Sequence, residues 1–486
     1  MPWWLWALVV IVVLFVGLAI HDITQKRHAI LRNFPVVGHL RYLIEKIGPE
    51  LRQYVVADND EELPFSRDQR RFIYASAKQQ NAYFGFGTDN DINVPGYVLL
   101  RHAAFPHPAP PDDQADQLPM RKVLGEAHGR AHAFQPPSLV NVSAMSFGSL
   151  SAPAVEALNR GSKLANCLHN TGEGGISKHH RHGGPIMFQI GTGYFGARNS
   201  DGTFSLDRLL ESIEGCDVKA IEIKLSQGAK PGLGGVLPGK KVTPEIAEAR
   251  GVEVGVTVKS PSRHVAFDDV SSMIEFCELI ANETGIPTGI KSAVGEKAFW
   301  IELAEQMHVS GKGPDFISID GGEGGTGAAP LAFSDHVALP FRQGFSEVYR
   351  AFAEQRMHER MVFLGAGRLG LPTEAMVAFA MGVDGVGVAR EAMMAIGCVQ
   401  AQKCHDDHCP TGIATQNTWL TRGLDPTDKS VRLANYVGAL RHELRRLANA
   451  MGAEHPSLVD PAAVEIRLEA NHVQPVREIY GYDSSW

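Results

Sequence analysis

Cysteine is scarce in this chain, with six in 486 residues, and Cys167, Cys216 and Cys277 stand alone. That excludes the dense disulfide framework of a small secreted domain and fits a reducing compartment. Basic excess is missing too: 46 Lys and Arg face 54 Asp and Glu, a formal charge of -8, with no long basic run. A nucleic-acid binder carries a basic patch or stripe, so no nucleic-acid partner is expected. No strand, GxGxxG and helix succession of the dinucleotide-binding kind is found. Disorder is excluded by 44% hydrophobic against 21% charged residues.

What is present begins with an uncharged run over 3–20, WWLWALVVIVVLFVGLAI, close to the roughly 20 residues a membrane-crossing helix needs. Trp3, Trp4 and Trp6 suit an interfacial belt, and Lys26, Arg27 and Arg32 follow the run, which predicts a single-pass anchor with the body in the cytoplasm. A cleaved signal would carry its charge before the run and an A-x-A site after it, and neither is there. Residues 21–135 read as an irregular lead-in packing on the main domain, with breaks at Asn33-Phe34-Pro35 and in the proline-rich run from Pro106 through Pro110 and Pro111.

Over 136–425, short apolar runs alternate with amphipathic stretches. Strand-like runs lie at 140–146, 168–171, 186–191, 220–225, 254–258, 288–292, 316–320, 361–365 and 385–389, with helical stretches at 152–165, 270–284 and 373–381. Repeated strand, loop and helix units predict a parallel sheet, and about eight of them fit an α/β fold of the closed (β/α)8 TIM type. An open doubly wound sheet is the alternative. Either way the loops after the strands hold the site. Residues 426–486 read as a helical extension, clearest at 432–450, ending in a polar tail.

Three glycine-rich stretches follow successive strands: 318–327 (SIDGGEGGTG), Gly365-Ala-Gly367-Arg368 and Gly385-Val-Gly387-Val-Ala389-Arg390. Glycine lets backbone amides face a phosphate, and a barrel commonly binds phosphate after its last two strands. Lys291 stands in an apolar run, where a cation is costly without a partner. The segment 222–235 runs from Glu222 and Lys224 through Gln227 and Lys230 into glycines, with Arg250 some twenty residues on. Cations and an amide on one rim suit an acidic substrate. Cys398, Cys404 and Cys409 fall within twelve residues beside His405 and His408. Zinc with a histidine as fourth ligand and an iron-sulfur cluster on three thiolates both fit that spacing.

Together these stretches resemble the FMN-binding synthase domain of glutamate synthases. NVSAMSFGSLS at 141–151 is similar to the family's ISAMSFGALS, and 170–175 is its NTGEGG. QGAKPG stands at 227–232, GGTGAAP at 324–330 resembles GGTGASP, and the three cysteines with PTGIAT at 410–415 match the family's cluster segment. The resemblance covers roughly 136–425 and implies a barrel holding FMN, a 3Fe-4S cluster on Cys398, Cys404 and Cys409, and reductive amination of 2-oxoglutarate. It places Ser143, Ala144, Met145, Ser146, Thr171, Gln227, Lys291, Asp320, Gly321, Gly322, Gly324, Gly325, Thr326, Gly365, Gly367, Arg368, Gly387, Ala389 and Arg390 around FMN. Gln227, Lys230 and Arg250 fall on the substrate, and Glu173, Lys230 and Lys291 on the chemistry.

The departures are as specific. The cysteine nucleophile and glutaminase domain that open a full-length glutamate synthase are not found, so the expected partners are ammonia or an amine donor, a separate glutaminase and a separate electron-donor protein. Val236 stands where the family has glutamine in EGGQLPG, and Ile176 where a second glutamate often follows NTGEGG. Amination with an alkylamine donor, or a membrane electron-transfer or redox-sensing role without synthase activity, are the alternatives. A 2-hydroxy acid oxidase on a similar barrel has no need of three clustered cysteines.

Overall fold

The computed structural model describes all residues except 1, 26–27, 82–84, 86 and 110–116. Lys26, Arg27, Pro110 and Pro111 thus lie outside the described residues. Two compact units are found, Met1–Gln69 and Arg70–Trp486.

In the first unit the apolar run forms one helix, Trp3–Thr24, of 22 residues. Among the described residues it alone is long and apolar enough to cross a membrane. Asp22 near its end is buried, accepting from the Val36 amide at 2.8 Å and lying 3.0 Å from His39 Nε2. The expected irregularity of 21–135 is corrected here, because helices form over Ala29–Asn33, Gly38–Leu51 and Arg67–Ala77. Leu40, Leu43, Ile44, Ile47 and Leu51 carry a helical period that Gly48-Pro49 disguises in the sequence.

The second unit is built on a closed eight-stranded barrel. Its strands are β1 (Val140–Val142), β2 (His169–Asn170), β3 (Ile186–Ile190), β4 (Val218–Lys224), β5 (Thr288–Ser292), β6 (Phe316–Asp320), β7 (Val362–Ala366) and β8 (Gly385–Val388). Each pairs in parallel with its neighbours in sequence, and β8 closes on β1 through Val386↔Val140 and Val388↔Val142. β3 (IMFQI), covered on both sides, is buried at every position and reads as a largely apolar run.

The run 254–258 is no barrel strand. Only its last residue pairs, in a two-stranded antiparallel ribbon of Val236–Leu237 with Val258–Lys259 between β4 and β5. Apolar composition alone does not separate a ribbon residue from a buried strand.

Local signals fix the helices. Helix α1 (Ala152–Ala165) starts at Ser151, whose Oγ accepts from the Ala154 amide at 3.4 Å, and ends at Asn166 in the left-handed region. Between the ribbon strands lies α2 (Pro244–Arg250), capped by Thr243 and closed by Gly251 at φ 64°. α3 (Val270–Thr284) opens on an Asp269/Ser272 capping box. α4 (Phe341–Glu354) follows β6, the short α5 (Arg390–Ala395) follows β8, and α6 (Pro426–Ala450) packs on α1. A Cβ on buried Gly161 would meet Leu433 at 2.7 Å, so the α1 and α6 contact requires glycine there. The tail after 450 is not merely polar. Val464–Glu469 and His472–Pro475 join Val98–Leu100 in an antiparallel sheet, with Val464, Glu465 and Ile466 all buried.

Candidate active site

A cavity of about 710 Å³ opens over the C-terminal ends of the barrel strands. Of the residues expected at the site, it brings together Ser143, Ala144, Met145, Ser146, Glu173, Gln227, Lys230, Arg250, Lys291, Asp320, Gly325, Thr326, Ala389, Arg390 and Cys404. The others lie apart. Thr171 is buried beneath, where its Oγ1 accepts from the Gln189 amide at 3.1 Å. Gly365 and Gly387 border a small internal cavity of about 40 Å³, while Gly367 and Arg368 open onto a separate cavity of about 730 Å³ with Arg342, Arg350 and Tyr480. Gly321, Gly322, Gly324, Cys398 and Cys409 do not line the large cavity.

The floor is polar. Glu222 of β4 is buried and accepts from Asn170 Nδ2 at 2.8 Å, Gln189 Nε2 at 2.6 Å and Ser318 Oγ at 2.6 Å. Side chains alternate along a strand, so Glu222 and Lys224 share the inward face. The register sets Lys224 of β4 opposite Lys291 of β5. Two neighbouring ammonium groups repel, and each meets a carboxylate: Lys224 Nζ lies 2.9 Å from Glu173 Oε2, and Lys291 Nζ 3.7 Å from Asp320 Oδ2. Asp320 Oδ2 also accepts from the Gly228 amide at 3.0 Å. A Cβ on Gly228 would stand 1.9 Å from Gly321 O, so the loops after β4 and β6 touch backbone to backbone.

Glu173 sits among cations. Burial pushes its carboxyl up, but the Lys224 ammonium, then Lys230 and Arg250, outweigh this and hold it below the usual range. Lys224 also donates to Gln227 Oε1 at 2.7 Å. Lys230 is buried, and its Nζ donates to Gly234 O at 3.1 Å; burial lowers its pKa against the pull of Glu173. Arg250, at the end of α2, donates through Nη2 to Phe147 O at 3.0 Å and packs 5.1 Å from the Phe195 ring centre. Its Nε is buried with no acceptor, and burial pushes its pKa down to about 10.

Behind Lys224, buried His264 bridges two elements. Tyr194 Oη accepts from the Val265 and Ala266 amides, both at 3.1 Å, so its own proton goes to His264 Nδ1 at 3.1 Å. The imidazole is then protonated at Nε2 and donates to Lys224 O at 2.9 Å. Sequence reasoning singled out neither Tyr194 nor His264, nor Gln189 and Phe195. Lys224 was noted on the rim without a role, although its place two residues after Glu222 on one strand was the available signal.

The glycine loops are close-packed. A Cβ on Gly325 would meet Arg390 Nη1 at 3.0 Å, one on Gly387 would meet Ser143 at 3.2 Å, and one on Gly367 would meet the Gly321 backbone at 3.2 Å. Arg390 donates to Glu323 O. The Glu323 carboxylate accepts from the Phe341 amide at 2.8 Å and 3.1 Å, which caps α4. The cysteine segment abuts these loops, since a Cβ on Gly327 would meet Cys404 O at 3.0 Å. Tyr74 Oη donates to Cys398 O at 2.8 Å, and Lys241 Nζ lies 3.5 Å from Asp407 Oδ1. Burial pushes the Cys398 thiol up to about 12 and raises Cys404. At Cys409 burial acts the same way but is outweighed by the Ala414 amide, the Thr411 hydroxyl and the Thr411 and Ile413 amides, so its pKa falls below the ordinary value.

A family model for the conserved region in glutamate synthase matches residues 113–454. The glutamate synthase large subunit-like protein YerD of Bacillus subtilis is 39% identical over 480 residues, 92% of this chain and 91% of that one. The chain belongs to the glutamate synthase family. As a member it is an FMN-dependent oxidoreductase of glutamate synthase type. The archaeal-type glutamate synthase [NADPH] of Thermotoga neapolitana is 35% identical over 319 residues, 64% of this chain and 59% of that one. The ferredoxin-dependent glutamate synthase of Cyanidium caldarium is 31% identical over 332 residues, 64% of this chain and 20% of that one. The chain thus spans a little over half of the one and a fifth of the other.

Proposed function

We propose that this glutamate synthase-family enzyme aminates a 2-oxo acid, 2-oxoglutarate or a close analogue, with ammonia as the nitrogen donor. The observation that carries the proposal is the state of the cavity's cations. Lys224 and Lys291 each face a carboxylate, whereas buried Lys230 and Arg250 make no ion pair within 4.0 Å among the described residues. Lys230 and Arg250 share Glu173 at longer range with Lys224, so buried positive charge is in excess there, and a ligand carboxylate relieves that cost. Lys230 and Arg250 bind the acid, and Gln227 orients it. Glu173, held ionised by Lys224, takes a proton from the nitrogen donor as it adds to the keto carbon and returns it to the departing oxygen, which leaves as water when the imine forms.

The residues present fit FMN. The cavity at the strand ends has a polar and cationic lining suited to an anionic cofactor, with Arg390 against Gly325 at its rim and Lys291 as a cation on its floor. FMN would be held by 143–146, Gln227, Lys291, the 320–326 loop, Gly365, Gly367, Arg368, Gly387, Ala389 and Arg390, over Thr171. When bound and reduced, it supplies the hydride.

Cys398, Cys404 and Cys409 are proposed to hold a 3Fe-4S cluster. Cys404 and Cys409 both act on the Cys398 thiol, so the three sulfurs share one neighbourhood. An iron-sulfur cluster sets its own atoms between the thiolates. The remaining proposals are membrane attachment through Trp3–Thr24 with the body in the cytoplasm, electrons from a separate donor protein, and ammonia from a separate glutaminase.

The test is an anaerobic one: photoreduced enzyme is mixed with 2-oxoglutarate and ammonium. Rapid flavin reoxidation with formation of glutamate is expected. Reduced flavin that ignores every 2-oxo acid and amine offered would instead indicate an electron carrier. Half-exposed Val236 lines the cavity with Leu237 and Val258, and this apolar wall favours an alkylamine donor as the second reading.

A further inference from the structure

Outside the cavity, α1 and the loop after β2 bring together Glu156, His179 and His182, and their ligand atoms all lie within 4.8 Å of one another. We propose that these three side chains bind a divalent transition-metal ion, through two imidazoles and one carboxylate, at a site separate from the cysteines.

The donor set has the right chemistry. Imidazole with carboxylate suits zinc, cobalt or nickel, whereas calcium and magnesium ask for oxygen alone. The ligands also sit on a frame that does not depend on a metal. Asn159, three residues after Glu156 on α1, accepts from the His182 amide at 2.9 Å and the Gly184 amide at 3.2 Å, which ties the loop to the helix. A capping box of Ser177 and His180 shapes the turn from the other side. All three ligands are half-buried, so each costs less to hold in one rotamer than a free surface side chain.

The surroundings orient the ligands. Arg160 donates to Glu156 Oε1 at 2.7 Å and leaves Oε2 facing His182 Nε2 at 3.8 Å. Glu245 Oε2 lies 3.2 Å from His179 Nε2, in the position of an outer carboxylate that orients a metal-bound histidine. Phe147 packs against the His179 ring at 5.1 Å. The ion would clamp α1 to the loop that carries Glu173. Glu245 belongs to α2, which ends at Arg250, so the same ion touches the supports of two cavity residues without entering the cavity. The site stands independently of the amination reading.

The experiment is a cobalt titration of the full chain, followed by absorption spectroscopy. Cobalt held by imidazole and carboxylate shows weak visible bands, whereas cobalt on cysteine adds intense thiolate charge transfer in the near ultraviolet. One cobalt ion per chain without charge transfer is expected. Its affinity should fall about tenfold or more in His179→Ala and in His182→Ala, and stay unchanged in Cys404→Ser. His182→Gln, which keeps the size of the side chain, should show the same loss if the alanine variant fails to fold. Titration curves that superimpose for the parent and the histidine variants would overturn the proposal, as would a signal that disappears only in Cys404→Ser.

Discussion

Lys224 Nζ and Glu173 Oε2 lie 2.9 Å apart and join the end of the fourth barrel strand to the loop after the second. The pair does two things at once. It removes the repulsion between Lys224 and Lys291, and it keeps a carboxylate ionised within reach of the cations Lys230 and Arg250.

Glu173→Gln should therefore act on both stability and turnover. Removing one partner of a largely buried pair costs on the order of 1–3 kcal/mol, read from urea unfolding. Turnover should fall by about 10² or more if Glu173 is the base, with FMN content unchanged. Full turnover in this variant would remove Glu173 from the chemistry.

Arg250→Ala tests acid recognition. Losing a charge-assisted contact of about 1.5–3 kcal/mol should raise KM for the oxo acid by roughly 10- to 100-fold with a smaller effect on kcat. In the parent enzyme, 2-oxoglutarate at 100 times its Kd should add about 2.7 kcal/mol of stability, and the variant should show much less. An equal thermal shift in both proteins would place the acid elsewhere.

The pH dependence of stability carries the mark of His264. Burial holds its pKa at about 4, against an ordinary 6.5. The unfolded chain takes up the proton first, so stability is lost as pH falls from about 6.5 to about 4 and is unaffected above that window. The slope from one such group is at most about 1.4 kcal/mol per pH unit. His264→Gln should flatten the curve in that window, as urea melts at stepped pH would show. A slope identical to the parent's would mean that other groups account for it.

Cys404→Ser should remove iron and leave FMN bound, measured by iron content and visible spectra of the purified protein. Because Cys404 abuts Gly327 next to the flavin loops, joint loss of both cofactors would show that the segment also builds the flavin site.

Much of this was legible in the sequence because barrel strands and glycine loops are local. Eight of the nine strand-like runs entered the barrel, and the loops that line the cavity stand where strand ends put them. What stayed hidden depends on register and distance. Nothing local pairs Lys224 with Glu173, fifty-one positions away, or makes Tyr194 hand its proton to His264. The helix Gly38–Leu51 is hidden in the sequence because Gly48-Pro49 places two poor helix formers inside it. The run 254–258 was misplaced because a ribbon and a strand share one composition.

Arg250 is carried by α2, inside a ribbon whose two strands pair only with each other and not with the barrel. On the function proposed above, the flavin residues stand on eight closed strands, while one of the acid's proposed ligands hangs outside them on a separate ribbon. Insertions or exchanges there leave every barrel hydrogen bond intact. If Arg250 binds the acid as proposed, substrate choice is open to change by evolution or by grafting of the ribbon, without disturbing the closure of the barrel.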